Sequence, residues 1–123
     1  MSLCIVSAGV TLRLATAAFT LAWTHSVERA RWEEAWRVTP AGLELDLARV
    51  RGSGAGMEPG DGTTLADGWW TWRPARAAIP ELVLAASGAT PGGWTLCAAG
   101  ACRELGAGPG SPIRIAPCKN PAR

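Results

Sequence analysis

Apolar side chains recur at every second position through most of this chain, and that period limits its fold more than any other feature. A strand turns successive side chains to opposite faces, so alternation marks a segment with one face toward a core. Leu3 and Ile5 alternate, as do Val10, Leu12 and Leu14. Phe19, Leu21 and Trp23 then share a face, with Thr20, Ala22 and Thr24 opposite. After a turn at Pro40, Ala41 and Gly42, the run Leu43, Leu45, Leu47 alternates with Glu44 and Asp46 as the cleanest half-buried strand. Trp70 and Trp72, Leu82 and Leu84, Trp94 and Leu96, and Ile113 and Ile115 continue the pattern.

One stretch, 27–38, fits two periods. Trp32, Ala35 and Trp36 fall at helical spacing, with Glu33 and Arg37 as an i,i+4 pair. Trp32, Glu34, Trp36 and Val38 fall equally at strand spacing, and the short gap after Trp23 fits a hairpin, so strand is the favoured reading. Residues 52–68 read as one long Gly-rich loop, with six glycines between Arg51 and Trp69. Short strands at fairly regular spacing with no convincing helix predict a single all-β domain over 1–123, an antiparallel β-sandwich or barrel. At 123 residues the chain is long enough for one real core.

The first apolar stretch, Leu3 to Trp23, has the hydropathy of a leader or a span. Arg13 lies in its middle, where a charge costs roughly 2.5–3.5 kcal/mol on insertion scales, and no basic residue precedes it. It divides around Gly9 into alternating segments and reads as strands of the domain. That reading places the chain in the cytoplasm, with a periplasmic or membrane-associated location as the alternative. A net charge of +2, with scattered arginines, gives no footprint for nucleic acid. Seven Trp, one Phe and no Tyr point first to a Trp-heavy core and second to a stacking platform for a ligand.

Four cysteines leave three states open. Reduced thiols are the default for a chain read as cytosolic. A zinc site lacks the CxxC-type pairs it usually needs. If disulfides form, a four-residue hairpin loop between Cys97 and Cys102 would set these two opposite each other. Cys4 and Cys118 near the two ends would make the other pair.

Candidate chemistry centres on the single histidine. His25 has the parity of Phe19, Leu21 and Trp23, and Glu34 sits between Trp32 and Trp36 on an apolar face. A hairpin would bring His25 and Glu34 together, and a buried carboxylate needs such a partner or an arginine. The pair serves either to fix strand register or, with Glu28, to line a site for a small polar ligand or metal. No metal set is complete enough to name, and no cofactor is indicated. Ser26 as nucleophile beside His25 is disfavoured, since neighbours on a strand point to opposite faces. In Gly52-Ser53-Gly54-Ala55-Gly56, neither the dinucleotide nor the Walker spacing is met and no helix follows. A tight turn is the simpler reading, although Gly54 and Gly56 would suit a nest of backbone N–H groups.

These segments together resemble a known family. THSVE at 24–28, ExW at 34–36, GSGAGMEP at 52–59, PEL at 80–82 and WTLC at 94–97 are similar to an uncharacterised bacterial family, a domain of unknown function. That family is often encoded beside membrane subunits of tripartite ATP-independent periplasmic (TRAP) transporters. The resemblance implies that His25, Ser26, Glu28, Glu34, Trp36 and the 52–56 loop are signature positions, and that the partner is a transporter membrane subunit. The expected function is a non-catalytic accessory or small-ligand-binding module. The alternative is a metal- or ligand-dependent enzyme centred on His25, Glu28 and Glu34.

Overall fold

The computed structural model describes residues 1–24, 30–51, 63–74, 76–86 and 93–119. Among them are eleven strands: β1 (Ser2–Ser7), β2 (Val10–Ala15), β3 (Ala18–Thr24), β4 (Arg31–Thr39), β5 (Gly42–Arg51), β6 (Thr64–Ala66), β7 (Trp69–Trp72), β8 (Leu82–Leu84), β9 (Trp94–Ala98), β10 (Ala101–Leu105) and β11 (Ile113–Pro117). Three hairpins close on two-residue turns with both φ positive: Ala8 and Gly9 (51° and 78°), Asp67 and Gly68 (52° and 83°), and Ala99 and Gly100 (51° and 79°). Such turns match the right-handed twist of the strands they join, which is why a glycine takes the second place in each.

The strands form two antiparallel sheets, ordered β2-β1-β11-β8 and β10-β9-β3-β4-β5-β7-β6, packed as a sandwich and not closed into a barrel. Residues 27–38 resolve in favour of strand, with β4 pairing β3 (Phe19 opposite Trp36, Trp23 opposite Trp32). The loop expected over 52–68 is shorter than read, because Thr64–Ala66 pairs with β7 as β6. Beyond β7 the chain keeps to the edge of β5, where Leu43 and Ile79 exchange backbone hydrogen bonds of 2.7 and 2.9 Å. It then leaves for the other sheet as β8, so this one segment ties both layers together.

The core lies between the sheets. Leu3, Ile5, Leu84, Ile113 and Ile115 meet Phe19, Leu21, Trp36, Val38, Leu43, Leu45 and Leu96. Burying each such aliphatic or aromatic side chain is worth about 1.5–3 kcal/mol, and this contact supplies most of the driving force. Trp36 is the one buried tryptophan in this cluster, and the half-buried Trp23 and Trp94 pack against it, so three of the seven tryptophans serve the main core. One correction concerns β5. Trp36 pairs with Leu45 but Ala35 pairs with Leu47, so the register slips by one residue at Asp46. Such a bulge inverts the parity that follows it. Ala48 and Val50 are therefore buried at 3% and 2% exposure, while Leu47 turns to the opposite face.

All four cysteines are bridged, Cys4 to Cys118 with Cα atoms 5.0 Å apart and Cys97 to Cys102 at 4.0 Å. The reduced-thiol default does not describe this structure. Pairing of Leu3 with Pro117 sets the first pair side by side. The second pair are direct cross-strand partners, and their hairpin closes on two residues, Ala99 and Gly100, instead of the four expected.

Candidate functional site

The inner face of the seven-stranded sheet carries a row of tryptophans at one end. Register pairs Leu105 with Trp94, Trp23 with Trp32, Trp32 with Val50, Val50 with Trp70, and Trp70 with Leu65. Trp23 stacks on Trp32 with ring centroids 6.0 Å apart and tilts against Trp94 at 5.0 Å. Trp72, one step along β7, meets Trp32 edge-on at 6.2 Å. These are the offset and T-shaped geometries that the ring quadrupole favours. Trp94 is held by its indole N–H, which donates to the Ala85 carbonyl at 2.9 Å. Trp23, Trp32, Trp70, Trp72 and Trp94 are all half-buried, while Ala48 and Val50 beneath them are buried apart from the main core.

Glu34 sits one step along β4 from this row. Its cross-strand neighbours are Leu21 and Ala48, so its carboxylate is on the inner face. Burial there raises its pKa above 4.5, against the lowering effects of the Trp36 hydrogen bond and of the Arg76 charge. The Trp36 indole N–H donates to its carboxylate at 3.1 Å. Among the described residues its hydrogen-bond partner is thus an indole two residues along its own strand. The hairpin register puts Leu21 across from it. His25, Ser26, Glu28, Gly54 and Gly56 lie outside the described residues, as does the rest of the 52–56 loop. Among the described residues no three His, Cys, Asp or Glu side chains converge to hold a metal.

The outer face of the same sheet holds a feature that sequence reading missed. A hollow of about 260 Å³ opens over Thr20, Ala22, Ala35, Leu47, Thr95 and Cys97. Its wall is an ion-pair cluster: Arg49 donates to Glu33 through Nε at 2.8 Å, and Arg31 Nε lies 3.7 Å from the other Glu33 oxygen. Arg49 also lies over the Trp69 ring, 4.1 Å from its centroid. A second hollow, of about 240 Å³, continues along the strands and shares Thr20, Ala35 and Cys97. Strict alternation hid this surface, because Leu47 reaches it only through the one-residue slip in β5.

Both surfaces belong to one sheet, and comparison with known proteins singles out that sheet. No curated protein and no solved structure matches the chain. A family model described as Domain of unknown function (DUF1850) matches residues 19–105. The matched span runs from β3 through β10, taking in the whole seven-stranded sheet together with β8, and leaves out β1, β2 and β11. With well over half its length matched, the chain belongs to the DUF1850 family.

Proposed function

We propose that this domain is a non-catalytic accessory or small-ligand-binding module that works in an oxidising compartment beside a TRAP-type solute transporter. The observation that carries the reading is the tryptophan row. Four half-buried indoles from β3, β4, β7 and β9 stand in one cross-strand line, at the end of the sheet where β3 and β5 run out at Thr24 and Arg51. Partly accessible aromatic clusters are frequent anchors of protein–protein contacts, since they bring large area at small entropic cost. Two bridges support the compartment, because disulfides persist where glutathione does not keep thiols reduced. The resemblance of 24–28 and 52–59 to a transporter-linked family supports the partner. No helix among the described residues is long and apolar enough to cross a membrane.

The test is co-purification with the TRAP membrane subunit encoded beside it, in mild detergent and without reductant. The complex is expected to survive. Trp32→Ala is expected to weaken it about thirtyfold, the ~2 kcal/mol of an aromatic anchor. Repeated failure to recover any complex from the native host would reject the reading. The enzyme alternative, centred on His25, Glu28 and Glu34, draws support from the raised pKa of Glu34, a property that functional carboxylates share.

A further inference from the structure

We propose that the hollow on the outer face of the seven-stranded sheet is a binding site for a small carboxylate with a short apolar body. The first ground is a floor of the wrong polarity. A sheet face turned to water ordinarily carries polar side chains. Here the central strands present Ala22, Ala35 and Leu47, with Thr20 and Thr95 contributing a methyl and a hydroxyl each. Leu47 is there only because β5 slips by one residue at Asp46, and bulges are the device by which strands re-aim a side chain beside a site.

The second ground is the charge at one end of this floor. Arg31 and Arg51 are direct cross-strand partners, an arrangement that costs stability when both carry the same charge. Arg49 is next on the same face, and among the described residues Arg31 and Arg49 share one carboxylate, Glu33. Its oxygens are divided between Arg49, hydrogen-bonded at 2.8 Å, and Arg31, which stays 3.7 Å away. Stacking on Trp69 fixes Arg49, with Arg51 also over that ring at 5.9 Å. Arg31 keeps 42% of its side chain exposed and lines the hollow. A planar guanidinium is shaped to take a carboxylate through two parallel N–H donors, and an incoming anion would relieve the Arg31–Arg51 repulsion. Among the described side chains at this end of the outer face, Arg31, Arg49 and Arg51 against Glu33, a cation would add to the excess and a neutral ligand would leave it as it is.

The third ground is size. About 260 Å³ falls below the roughly 300–1,000 Å³ of sites that take drug-sized ligands, so the apolar body is short. The hollow lies on the opposite face of the sheet from the tryptophan row, and this inference holds with or without a transporter partner.

The experiment is a ¹H–¹⁵N titration of the full, oxidised chain with 4-methylpentanoate, run in parallel with the 4-methylpentylammonium ion, which has the same branched carbon chain and the opposite charge. The acid is expected to give saturable shifts at the amides of Ala22, Ala35, Leu47 and Thr95, and the amine none. Arg31→Gln is expected to weaken the acid at least about tenfold, the loss typical of a charge-assisted hydrogen bond. Ala35→Leu should abolish binding by filling the floor while thermal stability is kept. Should either variant misfold, the acid–amine contrast in the unaltered chain decides. Equal shifts from acid and amine, no saturable shift from the acid, or shifts confined to the indoles of Trp32 and Trp72 would each overturn the proposal. None of these results bears on whether the transporter complex forms.

Discussion

Replacing Cys4 and Cys118 together by alanine should cost far more stability than the same change at Cys97 and Cys102. The first bridge spans a sequence separation of 114 and the second only 5. A cross-link restricts the unfolded chain by an amount that grows with the logarithm of the loop it closes. At 25 °C that comes to about 5 kcal/mol for the long loop and about 2 kcal/mol for the short one. The short-loop figure is a ceiling, because the Ala99–Gly100 turn already favours that hairpin without a bond. A domain of this size has only about 5–15 kcal/mol in total. The Cys4/Cys118 double variant should therefore lose about a third or more of its stability, while the Cys97/Cys102 variant should lose much less. Urea unfolding without reductant, followed by tryptophan fluorescence, measures both. The long-loop variant should also show a steeper denaturant dependence, since its unfolded chain exposes more surface. Losses equal within about 1 kcal/mol, or a larger loss at Cys97/Cys102, would refute the reasoning.

Three further outcomes are expected. Leu45→Ala should cost about 2–5 kcal/mol in urea unfolding and Leu47→Ala under about 1, because the bulge buries the first and turns the second outward; equal costs would mean an unbroken register. Glu34→Gln should gain stability relative to the parent as pH rises above 4.5. A carboxyl whose folded pKa is raised holds its proton more tightly in the folded state, so its ionisation costs stability as pH climbs through that window. Paired denaturation at pH 4 and pH 7 tests this, and a constant difference would count against it. Gly42→Ala should cost at least about 1–3 kcal/mol and expose the Ile79 amide to exchange. Gly42 has φ 130° and a Cβ there would come 2.3 Å from the Ile79 carbonyl oxygen.

Much of the fold was legible because a two-residue period is a local signal. Most strands named from alternation are strands here, and the ambiguous 27–38 stretch resolves toward its two tryptophans and Val38 in β4. β6 was missed because three residues make no visible period. The better clue was the dipeptide Asp67-Gly68, whose turn chemistry demands a strand on each side. The slip at Asp46 could not be read, since Leu43, Leu45 and Leu47 alternate in sequence whatever the pairing does. Cysteine spacing held the two pairs that are bridged, whereas the argument from compartment pointed the other way. The tryptophan row was invisible for a different reason. Its members lie between positions 23 and 94, and only strand order aligns them. The lone parity argument for Glu34 correctly put it on the apolar face, but register gave it Leu21 across the hairpin and Trp36 as its hydrogen-bond donor.

The slip in β5 also decides where this strand can change length. Removing one residue from a strand normally turns every side chain on one side of the cut to the wrong face. Asp46 is the exception, being the extra residue between the Trp36–Leu45 and Ala35–Leu47 pairs. Its loss would leave Leu45 facing the core, Leu47 facing water and Val50 under the indoles. Among the described residues, the side-chain ion pairs that would go with it are surface contacts to Arg37 and Arg73, each 3.8 Å long. A deletion elsewhere in these ten residues scrambles a face; at this point it merely straightens the ladder.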